Sequence, residues 1–303
     1  MSVLSRKEFH DEQAAYDYVE ARIWPHGAAC PKCGERERVS KMGGQSTRIG
    51  AYKCYKCRKP FTVKVGTIFE ASHVPMNIWL QAIYLMCSSK KGISSNQLAR
   101  TLDVTVKTAW FMSHRIREAM RDDTLAGFGS GGGVVEVDET FIGKAKEKPE
   151  GARGWEHKNK VLSLVDRSTG RAKSMVVVDL QAATLLPILK ENIAKEAIVY
   201  TDEAKHYGKM SQDFAEHDFT THSKGQYVRG DVHTNTIEGY FSIFKRGMKG
   251  VYQHCSKEHL HRYVVEYEFR YNNRVAHGKD DVLRSDIALL GISGKRLTYQ
   301  GSH

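Results

Sequence analysis

Two groups of residues in this 303-residue chain have the types and spacing to do chemistry. The first is a pair of C-x2-C knuckles, Cys30-Pro-Lys-Cys33 and Cys54-Tyr-Lys-Cys57, separated by 20 residues (34 to 53). Two residues between thiols let both sulfurs turn toward one ion, and two such knuckles supply the four thiolates of a tetrahedral Zn2+ site. With all four positions filled by sulfur no place is left for water, so the expected zinc is structural. Modules of this size often fold only around their metal. Cys87 and Cys255 stand singly and read as core residues.

The second group is acidic. Asp138 lies in VVEVDETFIG, flanked by Glu136 and Glu139, in a strand whose alternate positions are apolar. Asp202 ends the apolar run AIVYTDE, and Glu238 sits in HTNTIEGYFSIFKRGMKG, which reads as a helix. An acid at the end of a buried strand is destabilising unless its charge is used, and a metal ion is one such use. Asp202 and Glu238 are separated by 35 residues (203 to 237), and Lys245 follows Glu238 by seven. Seven residues are two helical turns, which puts both side chains on one face about 10 Å apart. Taken singly, Asp138 could belong to an acidic strand edge, Asp202 could cap the next helix, and Glu238 could be a solvated helix residue.

These residues need elements to position them. His10 to Trp24 reads as a short amphipathic helix with Ala14, Tyr18 and Ala21 on one face, followed by the cysteine-bearing stretch, rich in Lys, Arg and Gly. Residues 76 to 121 carry helical periodicity. From Ile93 the text ISSNQLARTLDVTVKTAWFMSHRIREAM offers Ser94 or Ser95 as one helix cap, a break at Asp103-Val104, and Thr105 as a second cap. That is the pattern of a helix-turn-helix, whose second helix enters the major groove, with Lys107, Thr108 and Arg115 as the expected DNA contacts. GFGSGGG at 127–133 reads as a flexible linker. Beyond it VVEVDETFIG, KVLSLVDR and AKSMVVVDL read as strands, 182–195 as a helix, AIVYTDE as a buried strand, and DFTTHSK as a further strand. Helices close the chain. The expected divisions are 1–70 (N-terminal helix and zinc ribbon), 71–126 (helix-turn-helix), 127–133 (linker), 134–275 (catalytic domain) and 276–303 (C-terminal tail).

With 41% apolar residues the chain can bury a sizeable core, which excludes wholesale disorder. Lys and Arg number 46 against 35 acids, a formal charge of +11 that favours polyanionic partners. Lys32, Arg36, Arg38, Lys53, Lys56, Arg58 and Lys59 surround the knuckles and suit phosphate contacts. No uncharged apolar run approaches the roughly 18 residues of a membrane span. The opening MSVLSRKEFHDEQ turns charged at once and lacks the apolar stretch of an export signal. The expected compartment is therefore a reducing cytoplasm, with the bacterial nucleoid.

Two aspartates, 35 residues, a glutamate and a lysine seven positions on resemble the DDE signature of transposases and retroviral integrases. More fully, the chain resembles the insertion-sequence transposases that carry a zinc ribbon ahead of an ISXO2-like DDE domain. The resemblance runs through the ribbon, VDETFIGK, VYTDEAKHY, HTNTIEGYFSIFKRGMKGVY, RYNNR and GKRLTY, covering nearly the whole chain. It implies an α/β fold, a ribonuclease-H-like mixed sheet preceded by the ribbon and the helix-turn-helix. It implies two Mg2+ (or Mn2+) ions, with Asp138 bridging them and Asp202 and Glu238 each holding one. Members of this family are often described with Asn in the third place, so Asn235, three residues before Glu238 and on the same helix side, is the alternative.

The implied activity is binding of inverted-repeat ends, metal-dependent cleavage by water, and attack of the freed 3′-hydroxyl on target DNA. No GxxxxGK[ST] motif is present, which agrees with a reaction that hydrolyses no nucleotide. Lys245, Arg246 and Lys249 are expected to hold DNA phosphate. Arg153 and Trp155 in the basic loop EGARGWEHKNK are expected to contact DNA, Trp155 by stacking on a splayed base. His233 could orient a water or phosphate. Two DNA ends must be held together, so a homodimer or larger assembly on double-stranded DNA is expected, with no membrane partner. A ribonuclease-H-like nuclease that cuts without joining, and a domesticated DNA-binding regulator, are the alternatives.

Overall fold

The computed structural model describes residues 2–143, 157–202, 207, 212–220 and 228–298. The chain divides into two compact units, Met1–Arg121 with Arg274–His303, and Asp122–Asn273.

In the first unit helix α1 (Glu12–Ile23) starts at Asp11, whose carboxylate accepts the Ala14 N–H. Its buried stripe is Ala15, Tyr16 and Val19, one position off the expected Ala14, Tyr18 and Ala21. Tyr16 wins the inner position because it packs under Gly50, where an added Cβ would meet its ring at 2.3 Å. Tyr18 turns outward to donate to Asp286, with the Arg22 guanidinium over its ring. Strands β1 (Val39–Lys41), β2 (Tyr52–Cys54) and β3 (Pro60–Phe61) form an antiparallel sheet carrying Cys54.

Helices α2 (Met76–Ser88), α3 (Ser95–Leu102) and α4 (Val106–Met120) follow. Ser94 caps α3 through the Gln97 N–H, and Thr105 caps α4 through the Thr108 N–H. Between them Asp103 takes a left-handed conformation (φ 51°), which closes α3 in a tight break. Residues 276–303, expected as a tail, instead contain a helix at Asp281–Leu290. This closing helix packs on α2 and α4, burying Ala288 and Leu289. Gly291 passes so close to the Ala119 carbonyl that a Cβ there would lie 2.2 Å from the oxygen.

The second unit is a mixed α/β layer structure around strands β4 (Val134–Ile142), β5 (Asn159–Asp166), β6 (Ala172–Val177), β7 (Ile198–Thr201) and β8 (Glu216–Phe219). The sheet order is β6-β5-β4-β7-β8. Strand β5 runs antiparallel to both β4 and β6, while β7 lies parallel to β4 and β8 parallel to β7. Strand alternation sorts side chains to two faces. Val135, Val137, Leu162 and Leu164 join one core with helix α5 (Ala182–Asn192). Val161, Val165 and Ile142 join the other, under helices α6 (Asn235–Gly247) and α7 (Lys257–Asn272). Among the described residues no helix is long and apolar enough to cross a membrane.

The glycine run 127–133, expected as a loose linker, is a packed turn. Phe128 is buried and bridges to Ile193, and the Gly129 N–H donates to the buried Asp166 carboxylate at 2.9 Å. Burial raises the Asp166 pKa, but bonds from the Ser168 hydroxyl and from the Gly129, Thr169 and Ser168 N–H groups outweigh it and hold the carboxyl below its ordinary value. Glycine is required at 129 for two reasons. Its φ is +73°, and a Cβ would lie 2.5 Å from Ala197 Cβ and 2.8 Å from Val135 Cγ2. Gly131 has a similar φ, +77°, with nothing within 4 Å. Gly129→Ala is therefore expected to destabilise the protein by roughly 3 kcal/mol, from backbone strain plus overpacking. Gly131→Ala should lose only about 1 kcal/mol. Urea unfolding of the two variants checks this, and equal losses would show that the close approach at 129 is unimportant.

Candidate functional site

The four knuckle cysteines converge. Their sulfurs lie within 4.8 Å of one another, with Cys30–Cys57 at 3.7 Å and Cys33–Cys54 at 3.6 Å. A tetrahedral zinc with bonds of about 2.3 Å needs sulfur–sulfur edges of about 3.8 Å, so the thiols fit that ion. Local backbone geometry sets this up. Gly34 (φ +73°) turns the first knuckle back so that its N–H reaches the Cys30 carbonyl. Arg58 (φ +60°) turns the second, where the Cys54 N–H reaches the Lys59 carbonyl. Trp24, Tyr52 and Phe61 pack beside the sulfurs, with Tyr52 and Phe61 stacked at 5.7 Å.

The acidic residues are gathered by sheet register. The parallel β4–β7 ladder aligns Val134 with Ile198 and Glu136 with Tyr200. Carried on by two residues, that register sets Asp138 level with Asp202, on strands about 4.8 Å apart. Glu238 lies in the first turn of α6, exposed, with its carboxylate accepting the Thr234 hydroxyl at 3.2 Å. Burial, then the charges of Glu139, Asp202 and Glu238, push the Asp138 carboxyl up to about 8, against a bond from the Glu139 N–H at 2.7 Å. Carboxylates crowded this way favour a cation, and hard oxygen donors suit Mg2+ or Mn2+. Among the described residues only the cysteine quartet brings three or more ligand atoms within 4.8 Å; the carboxylates sense one another without closing to that distance.

The acids do not all face one way. Strand alternation sends Asp138 to the α6 side and Glu139 to the opposite one, where it accepts from the Tyr207 hydroxyl. Asn235 is the first residue of α6 and is exposed; its N–H donates to His233 Nδ1 at 3.3 Å. Lys245, Arg246 and Lys249 are exposed, Lys249 in the single π-helical turn Met248–Tyr252 that follows α6.

In the first unit Lys107 is exposed and Thr108 half-buried at the start of α4. They border a cleft of about 290 Å3 together with Ser72, His73 and Phe111. Arg115 does not share their exposure. It is buried in the wall of that cleft, and its guanidinium donates to the carbonyls of Ile68 (2.7 Å) and Glu70 (2.9 Å), so it braces the chain that leads into α2. Arg153 and Trp155 lie outside the described residues. Sequence reasoning missed a role for two residues beside the acids, Glu136 and Arg167. An acid at an interior position of an apolar strand is the signal for the first; Arg167, after a strand end, gives none.

The transposase zinc-ribbon domain model matches residues 10–60, and the ISXO2-like transposase domain model matches residues 130–272. An uncharacterized protein in transposable element ISH50 of Halobacterium salinarum is 29% identical over 282 residues, covering 87% of this chain and 92% of that protein. An uncharacterized transposase-like protein of Haemophilus influenzae is 30% identical over 111 residues, 37% of this chain and 89% of that protein.

The zinc centre makes a direct expectation. The purified chain should carry one Zn2+, and Cys54→Ser, at a fully buried sulfur, should lose both the metal and the ordered ribbon. Elemental analysis and NMR of the full chain read both. Full zinc occupancy in Cys54→Ser would remove the four-thiolate assignment.

Proposed function

This chain belongs to the insertion-sequence transposases that carry a zinc ribbon and an ISXO2-like transposase domain, and on that premise we propose a three-step activity. It binds the inverted-repeat ends of its element, cleaves DNA there, and joins the freed strands to target DNA. The observation that supports this reading most is the acidic site itself. The β4–β7 register, carried on past its last pair Glu136–Tyr200, would bring Asp202 beside Asp138, and the charges of Asp202 and of Glu238 on α6 both reach Asp138. Three antiparallel strands followed by two parallel ones, with α6 over the face that carries Asp138, support a ribonuclease-H-like arrangement.

Phosphodiester transfer needs an in-line nucleophile and positive charge against the phosphoryl oxygens. Mg2+ or Mn2+ held by Asp138, Asp202 and Glu238 would supply that charge and acidify the attacking water or 3′-hydroxyl. Asp138 is the central ligand, since it is the carboxyl on which the charges of the other acids converge. Glu238 is preferred to Asn235 as the third ligand because it carries charge into that cluster. Lys245, Arg246 and Lys249 are exposed on α6 and the turn after it, where they hold the DNA backbone.

Recognition falls to the first unit. The ribbon's lysines and arginines take phosphates, and α3 with α4 act as the helix-turn-helix, reading bases through Lys107 and Thr108. Two ends must be cut in concert, so the working form on DNA is at least a dimer.

The test is strand joining. Purified protein is mixed with labelled duplexes carrying the inverted repeats that flank its gene, a target plasmid and Mg2+ or Mn2+. Wild type is expected to give joined products. Asp202→Ala should give neither cleavage nor joining while binding the repeats as wild type does. Cutting without joining favours a nuclease on the same fold, and binding with neither reaction favours a DNA-binding regulator.

A further inference from the structure

The acidic site has two halves, a sheet that carries Asp138 and Asp202 and a helix that carries Glu238, and their separation has to be set by something. Glu136 is two residues before Asp138 on β4 and projects from the same face. It is fully buried, and both of its oxygens are engaged. Oε2 accepts the Ile237 N–H at 2.9 Å, and Oε1 accepts Arg167 Nε at 2.6 Å. Ile237 is the third residue of α6, so its N–H is among those that a helix start leaves without an intrahelical partner. The Thr234 side chain does not cap this helix. A strand carboxylate therefore does the capping, with the helix dipole favouring its charge.

Arg167 extends the clamp. Nη2 donates to both His233 Nδ1 and the His233 carbonyl at 2.7 Å, and Nη1 donates to the Asp231 carbonyl at 2.8 Å. Its guanidinium lies 5.0 Å from the Tyr200 ring on β7, the strand that leads into Asp202. Since arginine can only donate, His233 Nδ1 is the acceptor of that bond. Asn235 adds its N–H to the same nitrogen at 3.3 Å.

We propose that Glu136, Arg167 and His233 form a positioning network that fixes how far the first turn of α6 stands from β4 and β7, and so sets the separation of Glu238 from Asp138 and Asp202. Glu136 acts as a positioning residue: it is fully buried, and its two oxygens are turned to Arg167 and to the Ile237 N–H. The inference rests on the metal-binding reading of the acids given above.

The test uses the full-length, zinc-loaded chain without DNA and titrates Mn2+ by its EPR signal. Glu136→Gln should weaken Mn2+ binding 10- to 100-fold, about the range seen when supporting partners of metal ligands are removed. Faster hydrogen exchange at the Ile237 amide should accompany the loss. Because Glu136→Gln leaves Arg167 without its partner and could fail to fold, E136Q/R167M, which removes both charges, provides the same reading. In a Glu238→Gln background the network variants should produce no further loss, because the ligand they position is gone. A merely structural role would instead lower affinity equally in both backgrounds, and that result overturns the proposal. So does Mn2+ affinity unchanged by the network variants while Ile237 exchange quickens. Asp138→Asn is the control: if it binds Mn2+ as wild type does, the metal-site reading itself fails and takes the positioning proposal with it.

Discussion

Carboxylates repel one another, and the second unit holds several of them where they cannot move apart. Asp138 feels Glu139, Asp202 and Glu238 in a largely buried setting, and its proton affinity rises accordingly. Nothing in the side chains themselves favours that crowding; it is imposed by a parallel strand pair and by a helix tied down at its first turn. The apolar cores on both sides of the sheet supply the stability that makes such an arrangement tolerable. On the function proposed above, a cation would turn that repulsion into attraction.

The ribbon solves a related problem with less structure. Four sulfurs are brought together by two short knuckles, a left-handed residue in each, and three aromatic rings. So small a module buries little apolar surface, and modules of that kind often fold only around their metal. The acidic residues, by contrast, are carried on a sheet with an apolar core on each face.

What is legible in the sequence follows from which forces are local. The knuckle cysteines and the helix caps at Ser94 and Thr105 depend on neighbours a few residues away, and their spacing states them outright. Strands β4 to β7 are readable from alternation and apolar runs, and Asp138 and Asp202 come with them. The Glu136–Arg167–His233 contacts span 31 and 66 residues, and nothing near any of the three announces the others. Arg115 departs from expectation because α4 buries His114, Arg115, Ile116 and Arg117 in succession, so periodicity cannot say which basic residue faces out. The glycines at 127–133 read as chain freedom, whereas one of them serves close approach. The last segment hides its helix because that helix is short and owes its place to packing on α2 and α4.

The β4–β7 register has an evolutionary side. Where Asp202 emerges is set by the pairing of β7 with β4 and not by the length of chain between the two aspartates, so the turns that join β5, β6 and α5 can lengthen or shorten without moving it. Within β7 the tolerance vanishes. A single inserted residue among Ile198–Thr201 would carry Asp202 to the α5 side of the sheet and strand it against an apolar core. Insertions are therefore compatible with the turns between the two aspartates and incompatible with the four residues before the second.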